Sequence, residues 1–307
     1  MERTKHRHTM MKSFTRRKSR HAARTAFRNE IRDLIRGASS GFLFGIPLLY
    51  TMEVWWIGSF ADPLQMLISL LTNFVVVFLL IRTEGFRGTA NTKLSDALMD
   101  SIETLAIGVV CTGLVLVLLR EISLTSSINE AVGKIIFESA PFSLGVAVAN
   151  SFLSGERNQN VNEQTPSSPQ SQTPEINSTL ADFGATLIGA LFVAFTIAPT
   201  EEVPMLASAM TPPWLLATMA ASILISYGIV FVAGLTNQTK RYQQEGLFHR
   251  PITETLTAYL VSLMAALLML WFFHQVSFED PWTVWLSHTI VLGLPATIGG
   301  SAGRIVV

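Results

Sequence analysis

The chain has 307 residues, of which 49% are hydrophobic and 14% charged, whereas an ordinary soluble domain carries about 25% charged residues. The 22 basic and 22 acidic residues cancel, yet twelve of the basic ones precede position 37. The one cysteine, Cys111, excludes an intrachain disulfide and a four-cysteine metal site.

Apolar runs of about twenty residues recur along the chain, each long enough to cross about 30 Å of hydrocarbon as helix. They leave no room for a soluble domain. The expected fold is all-α, a polytopic transmembrane bundle of about eight helices. Residues 1–37 form a basic tail. Within it Phe27, Ile31, Leu34 and Ile35 alternate with Arg24, Arg28, Arg32 and Arg36 at helical spacing, which predicts an amphipathic helix in the interface. Such a tail suits anionic lipid headgroups. No aromatic residues interleave its charges for base stacking, so nucleic acid is not an expected partner.

Four spans follow, over about 40–60, 64–81, 102–119 and 128–152. The first is too long and too far along to be a signal peptide, and it lacks a small-residue cleavage site. Residues 154–178, rich in Ser, Gln, Asn and Pro, predict a disordered linker. Four more spans cover about 180–210, 214–235, 252–273 and 282–305. The fifth is long enough to be tilted or broken. The chain thus divides into a four-helix unit over 38–153 and another over 179–307.

Basic residues set the orientation. The tail, Arg82, Arg87, Lys93, Arg157, Lys240, Arg241, Arg250 and Arg304 all fall on one side of an eight-span arrangement, which is expected to be cytoplasmic with both termini. Short acidic loops carrying Asp62, Glu121, Glu130, Glu279 and Asp280 fall on the other, with Arg120 and Lys134 as the basic residues near that face, where both can snorkel to the headgroups.

The two units match in order. Gly41, Leu43 and Phe44 align with Gly189, Leu191 and Phe192. Thr51, Glu53 and Val54 align with Thr200, Glu202 and Val203. Pro63 aligns with Pro213, Glu103-Thr104-Leu105 with Glu254-Thr255-Leu256, and Pro141 and Gly145 with Pro295 and Gly299. The offset drifts upward only, from 148 to 154, as small insertions would produce. This predicts an internal repeat. A four-span unit returns the chain to its starting side, so the halves are expected to run parallel.

Ionisable residues inside spans are costly and point to function. Glu53, Glu138, Glu201 and Glu202 are the candidates for binding a cation or protons. Pro199 and Pro204 flank the Glu201-Glu202 pair, and each proline frees a carbonyl one turn earlier. A broken helix there could offer carbonyls and carboxylates to a cation together. Oxygen ligands suit Ca2+, Mg2+, Mn2+ or Na+, so the four acids are a candidate metal set. The same side chains have plainer readings. Glu53, Glu201 and Glu202 could lie at the outer interface in water, and Glu138 could pair with Lys134 one turn away. Glu103 and Glu254 open the third and seventh spans, where acids favour the helix dipole. Their equivalence makes them candidates for an inner gate.

Enzyme and cofactor motifs are absent: there is no P-loop, dinucleotide fingerprint, HExxH or nucleophile elbow. The segments FGIPLLYTMEVWW and APTEEVPML resemble an uncharacterised family of bacterial integral membrane proteins. The resemblance covers most of the chain after the tail. It implies a bacterial inner-membrane location and no particular activity. The expected function is transport of an inorganic cation, with exchange for protons through the glutamates. The alternatives are a cation channel, for which a second copy of the chain is a candidate partner, and a non-transporting membrane scaffold or sensor.

Overall fold

A computed structural model describes residues 27, 30–31, 33–88, 94–159, 175–232 and 251–306, and all regular structure among them is helical. The helices are α1 (Asp33–Leu49), α2 (Met52–Phe60), α3 (Pro63–Gly88), α4 (Leu94–Leu118), α5 (Ile128–Gln159), α6 (Glu175–Ile197), α7 (Glu202–Ala209), α8 (Pro212–Tyr227), α9 (Pro251–Phe272) and α10 (Trp282–Val306). A π-helical turn, Gly228–Val232, continues α8. Residues 1–26, with most of the basic tail, lie outside the described residues, as do 160–174. Helix occupies both ends of the expected linker, where α5 continues to Gln159 and α6 begins at Glu175.

Five helices, α3, α4, α5, α8 and α9, are individually long and apolar enough to span a membrane, and two bent pairs bring the number to seven. The chain is a polytopic membrane-spanning helical bundle. The expected first span, 40–60, is not one straight helix: α1 and α2 meet at 91°. α6 and α7 meet at the same angle, so the fifth span is indeed broken. At both bends a threonine turns back on the helix it ends. Thr51 Oγ1 donates to the Leu48 carbonyl at 2.9 Å, and Thr200 Oγ1 to the Ile197 carbonyl at 2.7 Å. Each hydroxyl offers a carbonyl at the helix end a local partner, which helps the backbone turn away.

Prolines begin α3, α8 and α9, where the missing N–H costs nothing. α4 and α9 end alike. Arg120 and His274 take left-handed backbone, φ 63° and 59°. Behind them Glu121 N–H donates to the Leu116 carbonyl and Gln275 N–H to the Leu270 carbonyl, both at 2.9 Å. This is the closing hydrogen bond of a Schellman turn.

α10, expected as the eighth span, has 25 residues but is not among the helices that qualify by length and apolarity. Its run Ile290–Ser301 is buried throughout, against α6, α7, α8 and α9. A helix wrapped in protein needs small residues for close approach more than it needs an apolar face for lipid. A Cβ on Gly299 would lie 2.4 Å from the Gly189 carbonyl oxygen on α6. In the first half α5 takes the corresponding place, against α2, α3 and α4. Its Gly145 meets α1, where a Cβ would lie 2.5 Å from the Ser40 carbonyl oxygen. One core joins the halves, from Ile46, Leu49 and Trp55 to Ala194, Leu206 and Leu292.

Candidate functional site

Both bends lie at the end of the bundle that carries the loops 119–127 and 273–281: Gly58 of α2 packs on the backbone of Gly133 and Lys134 near the start of α5, and Phe195 near the end of α6 meets the Phe273 ring edge-on. Glu202 opens α7 and is 7% exposed. Its Oε1 accepts the Met52 N–H at 3.3 Å, which places the carboxylate on the N-terminus of α2. A negative group is favoured there by the helix dipole and by the free N–H groups of the first turn. The other oxygen, Oε2, is buried with no hydrogen-bond partner.

Beside this contact Tyr50, at the first bend, donates its phenol to the Val291 carbonyl at 2.7 Å. The local reason is Pro295 within α10. Proline has no N–H to give to the carbonyl four residues back, so Val291 is left without its helical donor and Tyr50 supplies one from the other half. A third contact between the halves sets the Arg120 guanidinium 5.8 Å from the centre of the Trp214 ring.

Glu138 is 1% exposed. It lies ten residues into α5, about 15 Å along the axis at 1.5 Å per residue. Its Oε1 has no partner. Thr112 of α4 donates to the Gly108 carbonyl at 2.8 Å and comes near the backbone carbonyl of Glu138, at 3.4 Å, but not its carboxylate. The pair with Lys134, the plainer reading of Glu138, is not made. Lys134 Nζ donates to the Glu121 carbonyl at 2.9 Å, and it pairs with Glu121 Oε2 at 3.3 Å and Glu130 Oε1 at 3.0 Å. The ammonium therefore points toward the loop and away from the deeper acid.

The other predicted residues lie apart. Glu53 and Glu201 are exposed, and Glu103 is exposed on α4. Glu254 pairs with Arg304 near the end of α10, and that arginine is 1% exposed. Among the described residues no three His, Cys, Asp or Glu side chains are grouped so that they could hold a metal ion. Glu138 and Glu202 are thus the two buried members of the predicted set. Sequence reasoning missed Tyr50, Glu121, Glu130 and Arg304 as partners. Only Tyr50 left a trace, because Pro295 announces a carbonyl in need of a donor.

Helical, membrane-spanning and broken twice at the same angle, the chain belongs to the class of polytopic α-helical membrane proteins. Residues 33–307 match the family described as "Putative integral membrane protein (DUF2391)", and the chain belongs to that family. No curated protein and no solved structure matches the chain.

Proposed function

We propose that the chain is a proton-coupled cation transporter of a bacterial inner membrane, and not an enzyme, with Glu138 and Glu202 carrying the protons. The observation that carries this reading is that two carboxylates more than nine-tenths buried in the bundle each have an oxygen without a partner. Inside a bundle such a group is tolerated when it holds a proton or a cation. Buried acids of this kind line ion and proton pathways, and transporters build binding sites where a helix is broken.

The transporter is read as two tandem four-helix repeats running parallel, with both termini cytoplasmic and the loop end outside. Several matched features support the repeat: the two 91° bends, the back-bonded Thr51 and Thr200, the left-handed Arg120 and His274, and the glycine crossings of α1 with α5 and α6 with α10. Eight crossings follow when each bent pair counts once and α10 is added. The basic tail is read as lying on anionic lipid.

A scaffold is the second reading. Glu202 capping α2 and Glu254 holding Arg304 are what acids that tie helices together would do.

Purified protein in liposomes decides between them. An internal pH dye reports protons while Na+, K+, Ca2+, Mg2+ or Mn2+ is offered outside. The parent should move protons against one of these cations. Glu138→Gln and Glu202→Gln should each cut that flux at least tenfold while the protein stays folded and inserted. No flux with any cation would favour the scaffold. Flux equal to the parent in both variants would remove these two acids as carriers.

A further inference from the structure

Glu130, Lys134 and Glu138 are spaced by four residues on α5, so they form one ladder along a single face of the helix. The ammonium in the middle has three oxygen partners on the loop side and none from the deeper carboxylate. Lys134 is 7% exposed and Glu138 1%, and the Glu138 oxygen without a partner belongs to the neighbouring rung. A lysine stem has four rotatable carbons, and its charge can move by a helical turn while its backbone stays fixed. The backbone here is held: α2 crosses at Gly58, where an added Cβ would lie 2.8 Å from Lys134 Cα.

We propose that Lys134 is a movable counter-ion for Glu138. While Glu138 keeps its proton, Lys134 rests on Glu121 and Glu130. When the proton leaves, the ammonium turns inward onto the new carboxylate, so no unpaired charge is stranded in the bundle. Lys134 is then a positioning residue, and Glu121 with Glu130 sets how readily it lets go. The carried species at Glu138 is a proton, because a metal ion there would meet the ammonium of its own neighbour.

The surrounding elements supply few rivals. α3 offers no ionisable side chain between Pro63 and Ile81. α2 offers Glu53, which is exposed. On α4 Cys111 is buried, while Asp96, Asp100 and Glu103 are exposed near the other end of the helix. In the loop Arg120 faces the Trp214 ring, and Glu121 is already on Lys134.

The inference rests on Glu138 as a proton carrier, but its test needs no transport. Dicyclohexylcarbodiimide adds to a protonated carboxyl in apolar surroundings and leaves a stable acylurea, which peptide mass spectrometry locates. Full-length protein in liposomes is treated across a pH series, and the midpoint of Glu138 labelling is read. The double variant Glu121→Gln, Glu130→Gln frees the ammonium for Glu138, and the midpoint should fall by about one pH unit or more. Lys134→Gln removes the ammonium, and the midpoint should rise. Because the two changes push in opposite directions, simple loosening of the fold cannot mimic both. Losing two acids lowers the midpoint by Coulomb effect even with a fixed ammonium, so the same double change in a Lys134→Gln background should lower it clearly less. An equal fall there would overturn the movement. Glu138 labelling that ignores pH in the parent, absent labelling included, would overturn the proposal, and so would a midpoint unmoved by either variant. Midpoints that move as expected in a protein with no cation flux would keep the counter-ion and discard the transporter.

Discussion

The two halves of the bundle share a backbone plan and differ in their charges. Each bends by 91° at a back-bonded threonine, each closes its third long helix on a left-handed residue, and each crosses helices at glycines. The acids do not follow this symmetry. Glu53 is exposed where Glu202 is buried, and Glu103 is exposed where Glu254 faces an arginine. Glu138 is buried where the other half has Leu292, which is buried and apolar. Lys134 corresponds to His288, and Tyr50 to Ala198 or its neighbour. Features shared by the halves are therefore those that shape the chain, while features unique to one half carry charge. A bend can serve both halves alike, but a buried carboxylate is costly enough that each must answer to a local need.

The sharpest way to break that contrast is at the paired glutamates. Glu254→Gln removes a charge that faces the buried Arg304, and losing a hydrogen bond between charged groups costs about 1.5–3 kcal/mol. Glu103→Gln changes an exposed residue and should stay within about 0.5 kcal/mol. Thermal unfolding of both variants in one detergent measures the difference. Equal losses would mean that the Arg304 pair contributes nothing special to the second half.

The glycine crossings come next. A Cβ on Gly189 would lie 2.2 Å from the Gly299 carbonyl oxygen, which is backbone, whereas on Gly41 the nearest atom is a Val146 methyl at 3.1 Å. A valine rotamer can yield and a helix backbone cannot. Gly189→Ala should cost about 1–3 kcal/mol, as overpacking does, and Gly41→Ala clearly less, by the same unfolding measurement. A larger loss at Gly41 would reverse the comparison.

Tyr50→Phe tests the link between the halves. It removes the one hydroxyl donated to the Val291 carbonyl while keeping the ring. A buried carbonyl left unpaired costs about 1–3 kcal/mol, and the lower end is expected because packing is retained. Adding Pro295→Ala restores a backbone N–H for Val291, so the double variant should recover part of the loss. No recovery would mean that Tyr50 acts through packing alone.

Much of this was legible in the sequence because bilayers are demanding. Apolar length marked α3, α4, α8 and α9, and the prolines around Glu201 and Glu202 marked the second bend. The first bend was not legible. Thr51 hydroxyls of this kind also occur inside continuous helices, and Pro47 lies a few residues away from the actual break. The start of α4 at Leu94, rather than near 102, was hidden because its first turns are polar and extend beyond any apolar core. Burial of the acids was the least legible feature. Glu53 and Glu202 occupy matching positions in the proposed repeat, and the packing of Glu202 against the start of α2 separates them. The Lys134 pairing failed for a related reason. Spacing allowed the ammonium to turn either way along α5, and Glu121, a residue of the loop before α5, decided the direction.

The smallest effect lies in the loops, where the two halves use one turn with different chemistry. Ser123 N–H is capped by the Ser126 hydroxyl at 3.2 Å, and Ser277 N–H by the Asp280 carboxylate at 2.7 Å, with the Ser277 hydroxyl adding 2.9 Å. Those two bonds hold the Asp280 carboxyl below its ordinary range. A lowered carboxyl contributes stability that is present above the unfolded value, about 3.9, and is lost as pH falls through the folded one. The 277–280 turn should therefore loosen only in acid below that value, and the 123–126 turn should not titrate at all. Trp285 reports the event, because its indole N–H donates to the Ser277 carbonyl at 2.9 Å. Its indole resonance should shift with a midpoint below about 3.9, and Asp280→Asn should abolish the shift. If the shift survives in that variant, the acid sensitivity belongs to another group and the two turns are alike in chemistry as well as in shape.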